Sequence, residues 1–179
     1  MSENKTEFCK RKHNRYKNFD YSSSGAYFVT ICAYQKRHIF GEVILDDLSL
    51  NELGQVIAEQ IEALQDYPNI DILSYIVMPN HVHVLFQVQN DGQSTALSLS
   101  DVIRILKSKV YVEYRKKMIS KDTNFSMIEI WQRSYWDHIV RKEEDLVTID
   151  EYIQRNAEFW SMEKDNPETD YPVNRNTKM

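Results

Sequence analysis

The sequence has 179 residues, a formal net charge of −5, 42% apolar residues and 27% charged residues. This is the balance of one ordinary globular domain, and no apolar run is long enough to span a bilayer. Because the N-terminus lacks the apolar core of a secretory signal and Cys9 and Cys32 form no paired motif, we expect a cytoplasmic protein with reduced thiols and no membrane association.

The first half of the chain predicts two strand pairs around one helix. Residues 26–34 (AYFVTICAY) are rich in β-branched and aromatic residues and predict a strand, with residues 38–45 (HIFGEVIL) as its neighbour. Residues 50–66 carry apolar side chains at helical spacing. Residues 69–78 predict a second strong strand, and residues 81–89 return as its hairpin partner after the Pro-Asn break.

The second half predicts two helices around a last strand. Ser100 is a plausible N-cap for a helix that extends to about residue 118, and Asp101 favours its positive end. Residues 126–136 (SMIEIWQRSYW) predict the last strand, and residues 143–160 predict the last helix. We expect the folded domain to span residues 25–162, with a loosely held arm at residues 1–24 and a disordered tail at residues 163–179.

The order of these elements predicts an α+β domain, in which a ferredoxin-like antiparallel sheet carries helices on one face. A doubly wound parallel sheet is excluded because the MPNH connection between residues 78 and 81 is too short for a parallel crossover.

Basic residues concentrate in two segments although the total charge is acidic. Such patches could contact the phosphates of a nucleic acid, but a charge run considered alone is more often a solvated face. The two segments are the N-terminal arm, with Lys10, Arg11, Lys12, Arg15 and Lys17, and the predicted helix, with Lys107, Lys109, Arg115, Lys116 and Lys117.

Two histidines stand one residue apart in the strand HVHVLF. Side chains at i and i+2 point to the same face of a strand, so His81 and His83 lie side by side. Two imidazoles in this arrangement could bind a metal ion or could lie at a wet surface, and the pattern alone leaves both interpretations open. The candidates for a third ligand are His13, His38, His138 and Asn156.

The last helix offers a nucleophile near these histidines. Tyr152 and Asn156 are four residues apart and therefore lie one above the other on a helix. A phenol beside a metal ion can act as a nucleophile, although a tyrosine at the rim of a core is the commoner case. The predicted last strand also carries three aromatic residues, Trp131, Tyr135 and Trp136. These side chains could stack on unpaired bases, or they could belong to the core and its rim.

Four motifs in a fixed order resemble one known family. The segments GAYFVTIC with its DYSS lead-in, VMPNHVHVLF, WQRSYWDHIVR and EYIQRN are similar to those of the REP-associated tyrosine transposases. These are single-tyrosine transposases of the HUH (His-hydrophobic-His) nuclease superfamily, and the resemblance extends from about residue 10 to about residue 160.

The resemblance implies an HUH nuclease fold and an enzyme that cuts and rejoins single-stranded DNA at hairpin-forming repeats. At the matching positions, His81, His83 and Asn156 would bind Mg²⁺ or Mn²⁺, and Tyr152 would become a 5′-phosphotyrosine. The basic residues of the arm and of the predicted helix would bind the DNA. Family members usually have proline after this asparagine; here Ala157 follows, and because alanine favours helix we expect the helix to continue.

Two other functions stay open. A relative of the transposases could bind nucleic acid without cutting it, and a metal-dependent hydrolase could use the histidines with Asp137 or His138 and a water nucleophile. The resemblance is compatible with a monomer or with a homodimer that shares its active sites.

Overall fold

The structure, a computed structural model, describes residues 19–90, 97–121 and 128–160. The strands are β1 (Gly25–Cys32), β2 (Gly41–Ile44), β3 (Asp47–Leu50), β4 (Ile70–Val77), β5 (His81–Val88) and β6 (Trp136–Val140). The α-helices are α1 (Glu52–Glu62), α2 (Leu99–Ser120), α3 (Glu143–Gln154) and α4 (Asn156–Phe159), and short 3₁₀ turns occupy Tyr34–Lys36 and Ala63–Asp66. None of the helices in these ranges is long and apolar enough to cross a membrane.

The main sheet has the strand order β4-β5-β1-β6, and all three pairings are antiparallel. The α+β class with an antiparallel sheet is therefore confirmed. The predicted hairpin is also confirmed, since β4 and β5 pair directly across the turn at residues 78–80. β1 lies in the middle of the sheet, where it pairs with both β5 and β6.

The partner predicted for β1 is wrong. Residues 41–44 form β2, which pairs with β3 in a separate two-stranded sheet. Leu45 and Asp46 both have positive φ angles, as the tight turn of a two-residue hairpin requires. Residues 41–44 pair within this local hairpin and not with the main sheet. β5 and β6 lie on either side of β1 instead.

The last strand lies further along the chain than the sequence predicts. Among the described residues 128–135 of the predicted segment, Trp131 forms only an isolated bridge to Ala33, whereas β6 begins at the last residue of the segment and occupies Trp136–Val140. Ile130 is buried in the core without belonging to a strand of the sheet. The hydrophobicity of Ile130 reflects its packing in the core, so the predicted bounds of the last strand, residues 126–136, are wrong.

The two faces of the main sheet are covered by different helices. On one face, alternate residues of β1 and β5 pack with α1 and α2 in the larger apolar cluster. On the other face, Phe28 and Leu85 pack with Ile149 and Ile153 of α3. The prediction that all helices lie on one face is therefore wrong for α3. The larger cluster includes Tyr27, Val29, Ile31, Val56, Ile57, Ile61, Val82, Val84, Phe86, Val102, Leu106 and Val110.

The boundaries of the helices also differ from the prediction. Ser98, not Ser100, caps α2: its side chain accepts from the backbone N–H of Asp101, and the Asp101 side chain accepts from the backbone N–H of Ser98. This reciprocal pairing satisfies two backbone donors at once, and it starts the helix two residues earlier than a cap at Ser100 would allow. The predicted tail, residues 163–179, lies outside the described residues. Most of the predicted arm, residues 1–24, also lies outside them.

Candidate metal and nucleophile site

The two histidines of β5 meet on the face that α3 covers. The Nε2 atoms of His81 and His83 are 3.0 Å apart, and both side chains are about 1% exposed. The strand alternation places them there, because Val82 and Val84 point into the larger apolar cluster on the opposite face. The sequence left a metal site and a wet surface open; burial excludes the wet surface.

Each ring is held through its other nitrogen. The Nδ1 atom of His81 is 2.7 Å from Oδ1 of Asn80, and Nδ1 of His83 is 2.9 Å from Oγ1 of Thr30. An amide oxygen only accepts, so His81 carries its proton on Nδ1 and presents a lone pair at Nε2. A hydroxyl can accept in the same way from His83. With His83 in that tautomer, these contacts turn the Nε2 atoms of both rings towards each other, as outer hydrogen-bonding partners orient ligating histidines.

Both imidazoles are neutral at ordinary pH. Burial, followed by the charge of Lys36, lowers the pKa of His81 to about 3, although a side-chain hydrogen bond with Asn156 opposes this shift. Burial, followed by the charge of His81, lowers the pKa of His83 well below its usual value. A metal ligand must be deprotonated, so the site does not need to lose a proton from either ring before an ion binds.

Tyr152 and Asn156 reach the same site from two different helices. The hydroxyl of Tyr152 is 3.4 Å from Nε2 of His83, and the two rings are 5.3 Å apart between centroids. Asn156 is fully buried beside His81, and its side chain favours the protonated form of that imidazole and so raises its pKa. The predicted continuous helix is wrong, because α3 ends at Gln154 and Asn156 begins the short α4.

The break between α3 and α4 occurs at one residue. Arg155 has φ −98° and ψ 6°, outside the regular helical values, and its backbone N–H still bonds to Glu151. The i, i+4 spacing predicts that Tyr152 and Asn156 stand one above the other on a single helix. Because of the break at Arg155, they do not. The change of direction is local, and both residues lie against the histidines.

The two histidines and Asn156 fit a divalent ion. An octahedral ion with bonds of about 2.1 Å has ligand atoms separated by about 3.0 Å along each edge, which matches the distance between the two Nε2 atoms. A tetrahedral zinc site would separate them by about 3.3 Å. Among the described residues, no group of three or more His, Cys, Asp or Glu side chains could hold a metal, so the third protein ligand would have to be the amide of Asn156.

The other predicted candidates take different positions around this arrangement. His138 belongs to β6 rather than to a loop after the last strand, and Asp137 is buried beside it on the opposite face, where it pairs in register with Val29. The structure therefore does not bring Asp137 to the histidines. His38 is exposed and contacts the ring of Trp160, whereas His13 lies outside the described residues.

The predicted basic residues of α2 lie on the layer opposite the histidines, because α2 packs on the other face of the sheet. Lys107 donates to the backbone oxygen of Gln132 at 2.7 Å, and Lys109 lies over the ring of Tyr67. Lys116 and Lys117 pair with Glu113 and Glu59, and Arg115 is exposed. Lys10, Arg11, Lys12, Arg15 and Lys17 lie outside the described residues.

Sequence reasoning missed two residues of the site, Thr30 and Asn80. Thr30 stands in a strand that reads as pure core, and its partner is known only from the register in which Thr30 faces His83. Asn80 was interpreted as the break before the hairpin, although its place directly before His81 is a usable signal. A polar side chain next to a ligating histidine is a natural partner for the ring's second nitrogen.

Comparisons with known proteins identify the family of this chain. Residues 20–156 match the family model for IS200-like transposases. A Haemophilus influenzae protein of uncharacterised function is 29% identical over 172 residues, covering 86% of this chain and 92% of its own. Another protein of that organism, provisionally named a REP-associated tyrosine transposase, is 25% identical over 140 residues, covering 76% and 72% respectively.

A solved structure of a REP-associated tyrosine transposase bound to a REP hairpin has the same fold. It aligns with a TM-score of 0.52 at 19% identity, covering 79% of this chain and 71% of the other. The family match spans most of the chain and confirms the resemblance found in the four sequence motifs; transposases of this family generally use divalent metal ions. The chain therefore belongs to the IS200-like transposase family, with a transposase-like role in DNA processing.

Proposed function

We propose that this chain is a single-stranded DNA transesterase that nicks and rejoins DNA at hairpin-forming repeats. Tyr152 is the nucleophile, and His81, His83 and Asn156 hold a divalent ion, Mg²⁺ or Mn²⁺. The observation that carries the proposal is the meeting of four chemically suited groups at one point, with the Tyr152 hydroxyl 3.4 Å from a histidine nitrogen that faces the second histidine.

The residues of the chain divide the chemistry between them. Asn80 and Thr30 orient the two imidazoles, and Phe28 packs against the rings of both His83 and Tyr152. This packing restricts the phenol to a position beside the ligating nitrogens, which favours an attack geometry before substrate binds. When bound, a divalent ion supplies charge that polarises the scissile phosphate and stabilises the leaving oxygen.

The reaction exchanges one phosphoester bond for another. The phenol of Tyr152 gives its proton to solvent, and its oxygen forms a bond to phosphorus while the bond from phosphorus to the 3′ oxygen breaks. The 3′ oxygen takes up a proton and leaves as a free hydroxyl. Because the phosphotyrosine ester conserves the energy of the phosphoester bond, a 3′ hydroxyl of the same or another strand can attack it and reverse the step. Attack by a different strand constitutes strand transfer.

The substrate follows from the family and from a structural neighbour. That neighbour is bound to a REP hairpin, and we propose that this chain likewise binds a hairpin with single-stranded flanks. The basic arm around Lys10, Arg11, Lys12 and Arg15 is the proposed phosphate-binding segment, because most basic residues of α2 are engaged within the protein on the opposite layer.

A covalent-adduct assay tests the proposal. Labelled single-stranded oligonucleotides covering the DNA on both sides of the protein's own gene are incubated with Mg²⁺ or Mn²⁺ and resolved on a denaturing gel. We expect a metal-dependent shifted band that Tyr152→Phe abolishes while DNA binding is retained. Tyr111→Phe is the matched control, since Tyr111 lies on α2 in the opposite layer, and it should leave the band unchanged.

The other outcomes identify the competing functions. Cleavage without an adduct would favour a hydrolase with a water nucleophile. Binding without either cleavage or an adduct would favour a nucleic-acid-binding relative of the transposases. An adduct that persists in Tyr152→Phe would show that another residue is the nucleophile.

A further inference from the structure

The edge strand β6 places two aromatic side chains beside the proposed active site. Thr30 of β1 is in register with His83 on one side and with Trp136 on the other. Trp136 therefore shares a face and a cross-strand row with His83, two strands away. His138 follows two residues later on the same face, with its ring nearly parallel to the indole at a centroid distance of 6.3 Å.

Trp136 is linked to the nucleophile through one ring. Its indole contacts the edge of Phe28 at 5.9 Å between centroids, and the ring of Tyr152 contacts the same Phe28 at 6.2 Å. The indole is half-buried, so part of its surface remains open to solvent. Trp136 and Tyr152 therefore pack against the same ring, which places the indole on the same face of the sheet as the proposed nucleophile.

Exposed positive charge flanks the aromatic pair at both ends of the strand. Arg133 precedes β6, Arg141 follows it, and both are exposed. Aromatic side chains combined with flanking basic residues are the usual means of binding a single strand, since every base offers a face for stacking and every nucleotide carries a phosphate. β6 is also the outer strand of the main sheet, so a strand of DNA can approach it from the side.

We propose that Trp136 stacks on an unpaired base next to the scissile phosphate, while Arg133 and Arg141 contact the phosphates on either side. The inference rests on the proposed function for the position of the phosphate, but it concerns binding and not the chemical step. It gives this chain a single-stranded DNA track that runs along β6 towards Tyr152.

Binding of two oligonucleotides tests the stacking. In the Tyr152→Phe background, the affinity for a 20-nucleotide oligo-dT is compared with that for a 20-mer of abasic sites, which has the same phosphates but no bases. Trp136→Leu should weaken oligo-dT binding by about fivefold or more, the loss expected for one stacked base, and leave abasic binding nearly unchanged. Trp136→Phe keeps an aromatic face and should retain most of the affinity.

The comparison separates a binding role from a structural one. If Trp136 only supports the fold, Trp136→Leu will weaken both oligonucleotides equally or neither, and either result overturns the proposal. Tyr111→Leu, a matched change of a half-buried ring on the opposite layer, should affect neither. Failure of the adduct assay with intact base-dependent binding at Trp136 would overturn the proposed function and the placement of the base next to a scissile phosphate, but it would leave the stacking of Trp136 on a base standing.

A second measurement needs no change at Trp136 and decides the question if Trp136→Leu does not fold. An oligo-dT carrying 5-iodouracil is irradiated while bound to the Tyr152→Phe protein, and the crosslinked peptide is sequenced. We expect the crosslink at Trp136 or His138. Crosslinks confined to other residues would contradict the proposal.

Discussion

The two faces of the main sheet bury different kinds of side chain. The face covered by α1 and α2 is almost entirely apolar and contains most of the core. Within the described part of the chain, the face covered by α3 has only four buried apolar residues in its cluster, and next to them it buries Thr30, His81, His83 and Asn156. Burying polar groups costs free energy unless they are hydrogen-bonded, so the second face depends on the hydrogen bonds among these side chains and Asn80.

A single strand, β5, contributes both to the stability of the core and to the proposed metal site. Along β5, His81, His83 and Leu85 face α3, whereas Val82, Val84 and Phe86 face the larger cluster. Because successive side chains point to opposite faces, the apolar residues hold the strand in place while the histidines between them face the proposed metal site. Changes on the two faces should therefore have separable effects.

The largest expected effect is a matched pair of changes in β5. His83→Ala should reduce cleavage below detection and abolish the metal dependence, because it removes one ligand and the contact to Tyr152. Phe86→Ala should instead lower the free energy of unfolding by about 3–5 kcal/mol, the cost of a large cavity in a core. Urea denaturation and the adduct assay, performed on both variants at a temperature where both are folded, measure the two effects.

The division of stability and chemistry between the two faces would be contradicted if either variant showed the effect expected of the other. If His83→Ala lowered stability as much as Phe86→Ala, or if folded Phe86→Ala lost the adduct as completely as His83→Ala, the two faces would not divide stability from chemistry. A moderate loss of stability in His83→Ala is compatible with the division, since the change leaves the buried hydroxyl of Thr30 without its imidazole partner.

Much of this division could be predicted from the sequence, but not all of it. The periodicity of β5 and the i, i+2 spacing of its histidines are local properties, and they correctly placed His81 and His83 on one face. The position of β6 and the packing of α3 on the second face depend on which segments pair at long range, and local patterns do not contain that information. Thr30 was missed for the same reason.

The break at Arg155 shows a second limit. Alanine after Asn156 is a better helix former than proline, and helix propensity alone predicts that α3 continues. Alanine is about 3 kcal/mol more favourable than proline in a helix interior, but this preference concerns position 157, whereas the regular helix already ends at Arg155. The propensity of residue 157 therefore does not decide whether the chain breaks at Arg155, and the break accompanies the full burial of Asn156 beside His81.

An intermediate effect is expected at the residues that orient the histidines. Asn80→Ala and Thr30→Val should each weaken binding of Mn²⁺ by about 10- to 100-fold, as loss of an outer hydrogen-bonding partner does in other metal sites. Isothermal titration calorimetry of the free protein measures this without any DNA. Ser74→Ala is the control, because Ser74 is also buried on a strand of this sheet but bonds to Gln154 instead of a histidine. Unchanged Mn²⁺ affinity in both variants would show that the rings are oriented by packing alone.

The smallest expected effect concerns the basic residues of the opposite layer. Lys107 donates to the backbone oxygen of Gln132, and burial lowers its pKa to about 8. If it contacted no phosphate, Lys107→Met would leave the salt dependence of DNA binding unchanged, whereas a true phosphate contact on a single strand contributes about 0.7 to the slope. A measurable drop in that slope would extend the DNA-binding surface to the α2 layer and break the division between the faces.

The pH dependence of stability gives Lys107 an independent signature. Between about pH 8 and its ordinary pKa of about 10.5, the folded state has lost the proton of Lys107 while the unfolded state still binds it. The unfolded state therefore binds more protons, and this group makes the free energy of unfolding rise with pH across that interval. Lys107→Met removes the rise, so urea denaturation at pH 8 and pH 9.5 should show a smaller increase, or a larger decrease, in the variant than in the wild type. Other titrating groups cancel in this comparison, and identical pH profiles would mean that the Lys107 amine is solvated and available to DNA after all.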